Sequence, residues 1–215
     1  MTRILKIGLS IAALGGVAIA VILFQGGKTP EFGGSAIAAE AIDYGAEMVL
    51  GAEDAPITVI EYASMSCGHC ALFHGQTFPD LKKHYIDTGK VKFIFREFPI
   101  NRPALEGAML ARCAGPDRFF GFLKLLFTKQ DKWAVADSHD KLVSVVKLGG
   151  MKSSTVEQCL ENEKLQDSIL QTRMKGEQEF EISSTPTFII NGNKVAGALS
   201  FEQFEKLLQP MLPAS

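Results

Sequence analysis

The clearest chemistry in this 215-residue sequence is a pair of cysteines two residues apart, Cys67-Gly68-His69-Cys70. Cys67 directly follows an apolar, β-branched stretch and opens a run with helical spacing, and that placement matters more than the four-residue pattern. At a helix start, free backbone N–H groups and the positive end of the dipole stabilise a thiolate, which is the reactive form. Cys70 falls one turn on, so the two sulfurs can face each other and close a tight disulfide ring. His69, between them, can add positive charge or a hydrogen bond to the Cys67 thiolate. Each pK unit of such stabilisation is worth about 1.4 kcal/mol, or about 30 mV in a two-electron couple. Stabilising the reduced form makes the disulfide a better oxidant.

Two other uses of the motif stay open at this point. It could be half of a zinc site, since His69, His74 and His84 are near, or a purely structural disulfide. No second Cys-x-x-Cys and no Cys/His pair at finger spacing follows it, so redox chemistry is the favoured reading and no metal or cofactor is expected.

The elements around the motif read as a frame for it. Residues 57–62 are β-branched and aromatic behind Pro56 and read as a buried strand. Residues 67–84 have helical spacing, with Pro79 interrupting them and Gly89 ending the helix, and residues 91–95 read as a second strand. A strand, a helix and a strand form a βαβ unit, so the two strands should be parallel. Residues 103–113, 117–129, 139–148, 155–162 and 164–180 read as helices, and Thr155 with Gln158 fits a capping box. Residues 187–191 and 194–196 read as strands around Asn191-Gly192, a hairpin signal, and residues 201–208 as a helix capped by Ser200. The order is β-α-β, a helical block, then β-β-α.

The N-terminus is apolar. Arg3 and Lys6 precede residues 7–24, an 18-residue run without charge. At about 1.5 Å per residue it reaches about 27 Å, close to a hydrocarbon core of about 30 Å. Residues 1–25 therefore read as a signal anchor or a signal peptide that puts the rest of the chain across the membrane. The small-x-small sites Ala18-Ile19-Ala20 and Ala36-Ile37-Ala38 are poorly placed for cleavage, which favours the anchor. Residues 26–55, rich in glycine, read as a tether. The formal net charge is −2, and without residues 1–25 there remain 20 bases against 24 acids. That balance lacks the basic footprint of a nucleic-acid binder. An even count of four cysteines in an exported chain suits disulfide chemistry.

Val59-Ile60-Glu61-Tyr62, Cys67-Gly68-His69-Cys70 and Ser184-Thr185-Pro186-Thr187-Phe188 together resemble the DsbA-type branch of the thioredoxin superfamily, over about residues 48–209. The resemblance implies an α/β thioredoxin-like fold, residues 56–100 and 182–210, with a helical domain, residues 101–181, inserted between the βαβ and ββα halves. It implies that the Thr185–Pro186 bond is cis and faces the cysteine pair, where both residues contact substrate. Sequence alone would not give this, since X-Pro bonds are cis only about 5–6% of the time. It implies that Glu61 is the buried acid beneath the disulfide that relays a proton for Cys70, the alternative being an exposed residue at a strand end. It also implies a periplasmic or secreted protein, or one anchored to the inner membrane, that acts on reduced or misfolded exported proteins and is reoxidised by a quinone-linked membrane partner of the DsbB type. Two departures bear on the direction of electron flow. Gly68 replaces the proline common in DsbA, and Thr185 replaces the frequent valine.

Cys113 and Cys159 lie in predicted helices of the insertion, 46 positions apart. A structural disulfide is the preferred reading, with two free thiols or a second redox centre as alternatives. The run Phe119-Phe120-Gly121-Phe122 with Leu123, Leu125, Leu126 and Phe127 reads as the core of the helical block, or in part as an apolar surface for unfolded clients. Three functions compete. They are an oxidase that donates the Cys67–Cys70 disulfide, an isomerase or reductase kept reduced by a membrane donor, and a non-catalytic client-binding module.

Overall fold

A computed structural model describes residues 45–135 and 137–213. Five strands form one sheet in the order β1-β3-β2-β4-β5. They are β1 (Met48–Leu50), β2 (Ile57–Ala63), β3 (Val91–Glu97), β4 (Thr187–Ile190) and β5 (Asn193–Ala196). The apolar, β-branched run of β2 suits a central strand. It pairs in parallel with β3, with Glu61 opposite Phe95, and antiparallel with β4, with Glu61 opposite Phe188. Between β2 and β3 the chain forms α1 (Gly68–Gln76), α2 (Phe78–Leu81) and a π-helical turn, Lys82–Ile86. Pro79 sits in the first turn of α2 and breaks the single helix read from sequence into these pieces.

Side chains alternate across a strand, and β2 divides the core accordingly. Ile57, Val59 and Ala63 join the main cluster with Phe73, Phe93, Phe95, Phe188 and Phe204. Tyr62 turns to a smaller cluster with Phe98, Ile182 and Ile189. The helix α8 (Glu163–Phe180) approaches Tyr62 through Gly176, where a Cβ would stand 2.6 Å from the ring.

The insertion runs from α3 (Arg102–Cys113) through α4 (Pro116–Thr128), α5 (Gln130–Trp133), α6 (Ser138–Leu148) and α7 (Ser153–Leu160) to α8, and α9 (Phe201–Leu208) closes the fold. This is the expected α/β thioredoxin-like fold with an inserted helical domain. The Phe-rich run is core: Phe119, Phe122, Leu123, Leu126 and Phe127 are buried. Asn101 and Asn162 cap α3 and α8 by accepting from the N–H groups of Ala104 and Leu165. Ser200 and Gln203 form a capping box on α9. A buried ion pair ties the insertion to the sheet, with Arg112 of α3 on both oxygens of Glu97 of β3 at 2.6 and 2.7 Å.

Two sequence expectations are corrected. The stretch 26–55 is not tether throughout, because Met48–Leu50 is an edge strand antiparallel to β3 with Met48 buried in the core. Three residues held by backbone pairing leave little pattern to read. Thr155 caps nothing: α7 begins at Ser153, behind the buried Met151, with Lys152 at its N-cap, so Thr155 lies inside the first turn. Among the described residues no helix is long and apolar enough to cross a membrane. The signal or anchor segment, residues 1–25, and most of the tether lie outside them.

Candidate active site

β2 delivers the chain to the site, and Cys67 is the N-cap of α1 with extended backbone angles. Its N–H donates to the Ser64 carbonyl at 3.0 Å, and its own carbonyl accepts the first helical bond, from Ala71, at 3.1 Å. From the insertion, the Gln130 side-chain amide donates to the carbonyls of Met65 at 2.8 Å and Cys67 at 3.0 Å. The loop carrying Cys67 is thus held from both halves of the molecule. Phe73 anchors α1 below, against Phe188 at 4.8 Å and Phe204 at 5.6 Å. Burying a side chain of that size contributes about 2 kcal/mol.

The two thiols are free and differ in environment. Cys67 is half-buried and Cys70 is fully buried, so an incoming sulfur can reach only Cys67. The hydrogen bond from the Cys70 thiol lowers Cys67 from its ordinary 9.0 to about 5. The Thr185 side chain and the backbone N–H groups of Cys70 and His69 assist, against the opposing effect of burial. Cys67 Sγ also lies 3.3 Å from the Thr185 carbonyl oxygen, a contact open as a hydrogen bond only to the protonated sulfur. Burial first, then the hydrogen bond to Cys67 and the Glu61 charge, push the Cys70 thiol far up. At neutral pH the pair holds one thiolate, on the reachable sulfur.

The structure brings the expected residues together, with one qualification. The Thr185–Pro186 bond is cis, and Thr185 touches Cys67. Glu61 is wholly buried rather than exposed at a strand end. His69, in contrast, is exposed, and its backbone N–H helps to lower Cys67. Cys113 and Cys159 are joined by a disulfide between α3 and α7, with Cα atoms 6.1 Å apart. Among the described residues no group of three His, Cys, Asp or Glu could hold a metal ion.

Sequence reasoning missed two participants. His74 Nε2 lies 2.8 Å from Glu61 Oε2. Its position one helical turn after Cys70 carried a signal, because residues four apart share a helix face. Gln130, 63 positions from Cys67, carried none.

A thioredoxin-like sheet with a helical insertion and a Cys-x-x-Cys pair facing a cis-proline defines a class of thiol redox proteins, and comparison with known proteins narrows it. A family model described as Thioredoxin matches residues 43–210. Wolbachia pipientis alpha-DsbA1 superposes with a TM-score of 0.73 at 32% identity, over 77% of this chain and 90% of that one. A Rickettsia bellii protein named as a protein-disulfide oxidoreductase is 35% identical over 148 residues, 68% of this chain and 57% of that protein. Disulfide bond formation protein D of Bacillus subtilis is 27% identical over 179 residues, 76% of each. The chain belongs to the DsbA-type branch of the thioredoxin superfamily. It spans little more than half the length of the rickettsial relatives it matches.

Proposed function

We propose that the protein is an exported thiol:disulfide oxidase that donates the Cys67–Cys70 disulfide to folding client proteins. A client thiolate attacks Cys67 Sγ, the Cys67–Cys70 bond breaks, and its electron pair stays on Cys70 Sγ, which takes a proton. The client's second thiolate then attacks the client sulfur of the mixed disulfide, and Cys67 leaves as a thiolate. The client has lost two electrons and the enzyme holds them as a dithiol. A quinone-linked membrane partner of the DsbB type takes them back, and residues 7–24, if uncleaved, hold the protein at the inner membrane beside it.

The observation that carries this reading is the asymmetry of the pair. A half-buried Cys67 with its pKa near 5 is a good leaving thiolate, and a buried, protonated Cys70 cannot be reached by clients. Thr185 and Pro186 would hold the client backbone beside Cys67. The exposed Leu72 on α1 offers an apolar contact, and beside it a cavity of about 350 Å³ opens between α1 and α9, with Gln76, Asp80 and Gln203 among its polar lining. Glu61 would serve as the proton partner of Cys70, which feels its charge.

The test is refolding of a reduced client by stoichiometric oxidised protein, which should restore client activity where Cys67→Ser does not. Equal rates would discard the mechanism. Thr185 beside Cys67 favours a second reading, an isomerase or reductase kept reduced by a membrane donor, which uses the same residues in the opposite direction.

A further inference from the structure

Glu61 stands in a row of apolar side chains. Ile57, Val59 and Ala63 share its face of β2, and Phe95 and Phe188 are its neighbours in register. Its Oε2 is held by His74, while Oε1 is buried without a hydrogen-bond partner among the protein's groups. Such an unsatisfied buried oxygen costs about 1–3 kcal/mol, more if charged, so packing alone does not account for the residue. Its charge is felt by Cys70.

His74 lies on α1 one turn below Cys70. Its ring stacks on Phe127 of α4 at 4.5 Å and 19°, and packs on Phe78 at 4.8 Å. Its side chain is 5% exposed, where that of Glu61 is 0%. It also lines a cavity of about 490 Å³ between α1 and α4, with Leu123 and Phe127 in the wall. The charged residues lining this cavity are Lys82, which is paired with Asp87, and Lys124. Across α1 from it, Phe73 packs on Phe188 of β4, the strand that directly follows Thr185 and Pro186. Helix α1 therefore separates a client side from a back side, and Glu61–His74 reaches the back.

We propose that His74 is a positioning and proton-relay residue that connects Glu61 to the cavity behind α1, so that Cys70 exchanges its proton with solvent away from the bound client. The inference rests on the thiol-exchange reading above. In client oxidation, Cys70 Sγ takes a proton from the Glu61 carboxyl. The Nε2 proton of His74 passes to Glu61 as the ring takes a proton from solvent at Nδ1, so the imidazole stays neutral. In reoxidation each transfer reverses. Cys70 gives its proton to Glu61 and attacks Cys67 Sγ in the mixed disulfide with the partner, whose sulfur leaves with the electron pair. One proton enters and one leaves per cycle, whatever covers Cys67.

The experiment compares the full chain with His74→Gln and His74→Ala. His74→Gln keeps a donor for Glu61 but cannot pass a proton through a ring, and His74→Ala opens room for free imidazole. Each protein is loaded with glutathione on Cys67, and its release by Cys70 is followed by stopped flow across pH. Release should slow by about tenfold or more in both variants, and added imidazole should restore His74→Ala. The pH dependence of Cys67 alkylation, centred near 5, should not move. Wild-type release in His74→Gln, or slow release in His74→Ala that imidazole does not restore, would overturn the relay. Failure of wild-type Cys67 to form the glutathione disulfide would instead remove the exchange mechanism itself.

Discussion

Cys67 and Cys70 lie on the first turn of one helix, while Cys113 and Cys159 lie on two helices of the insertion, 46 positions apart. The side-chain chemistry is the same and the surroundings differ. The first pair is free, with one sulfur half-buried at a helix N-terminus and pulled down to about 5, and the other buried and pushed up. That inequality lets the bond open toward one side. The second pair joins α3 and α7, with Cys159 buried in the core cluster, and it closes a long loop. Closing such a loop restricts the unfolded chain and stabilises by about 4 kcal/mol in the chain-entropy argument. Placement decides whether a disulfide is a reagent or a staple.

That contrast can be broken most sharply at Cys67. Cys67→Ser should reduce client oxidation to the uncatalysed rate, measured by refolding of a reduced client, and leave the stability of the reduced protein little changed below the Cys67 midpoint of about 5, where the cysteine is itself protonated. At the staple the pattern inverts. Cys113→Ala with Cys159→Ala should lose about 4 kcal/mol in chemical denaturation while exchange at Cys67 keeps its rate and its pH midpoint. A changed exchange rate would make the second pair a redox partner instead.

Smaller effects sharpen the same contrast. Cys67 holds its proton more loosely folded than unfolded, so the reduced protein gains stability as pH rises from about 5 toward the ordinary 9.0. It loses that gain as pH falls back through about 5. Melting of the reduced protein in buffers across this window should show the slope, and Cys67→Ser should flatten it. The smallest effect is expected at Gly68, the first residue of α1, where a Cβ would meet nothing within 4 Å. Gly68→Pro should raise stability by about 0.5 kcal/mol and leave the Cys67 midpoint in place.

Much of the frame was legible because it is local. The β-branched run of β2, the Asn191-Gly192 turn and the Ser200 cap each follow from a few neighbouring residues, and the Cys-x-x-Cys pair declared its chemistry by following a strand. Thr185, Pro186 and Glu61 needed a family resemblance, since a cis bond and a carboxylate on a core-facing row are set by tertiary structure. Gln130 on the Cys67 carbonyl and Arg112 on Glu97 were not legible, because such partners meet only after the insertion packs on the sheet. His74 was half-legible. Its spacing from Cys70 was plain, but its partner Glu61 lies on another element.

The most direct test of the claim that the first pair is a reagent is the equilibrium reduction potential of Cys67–Cys70 against glutathione. A thiolate held near pKa 5 predicts an oxidising couple, closer to the about −120 mV of DsbA than to the about −270 mV of thioredoxin. A value at or below the thioredoxin couple would contradict the account.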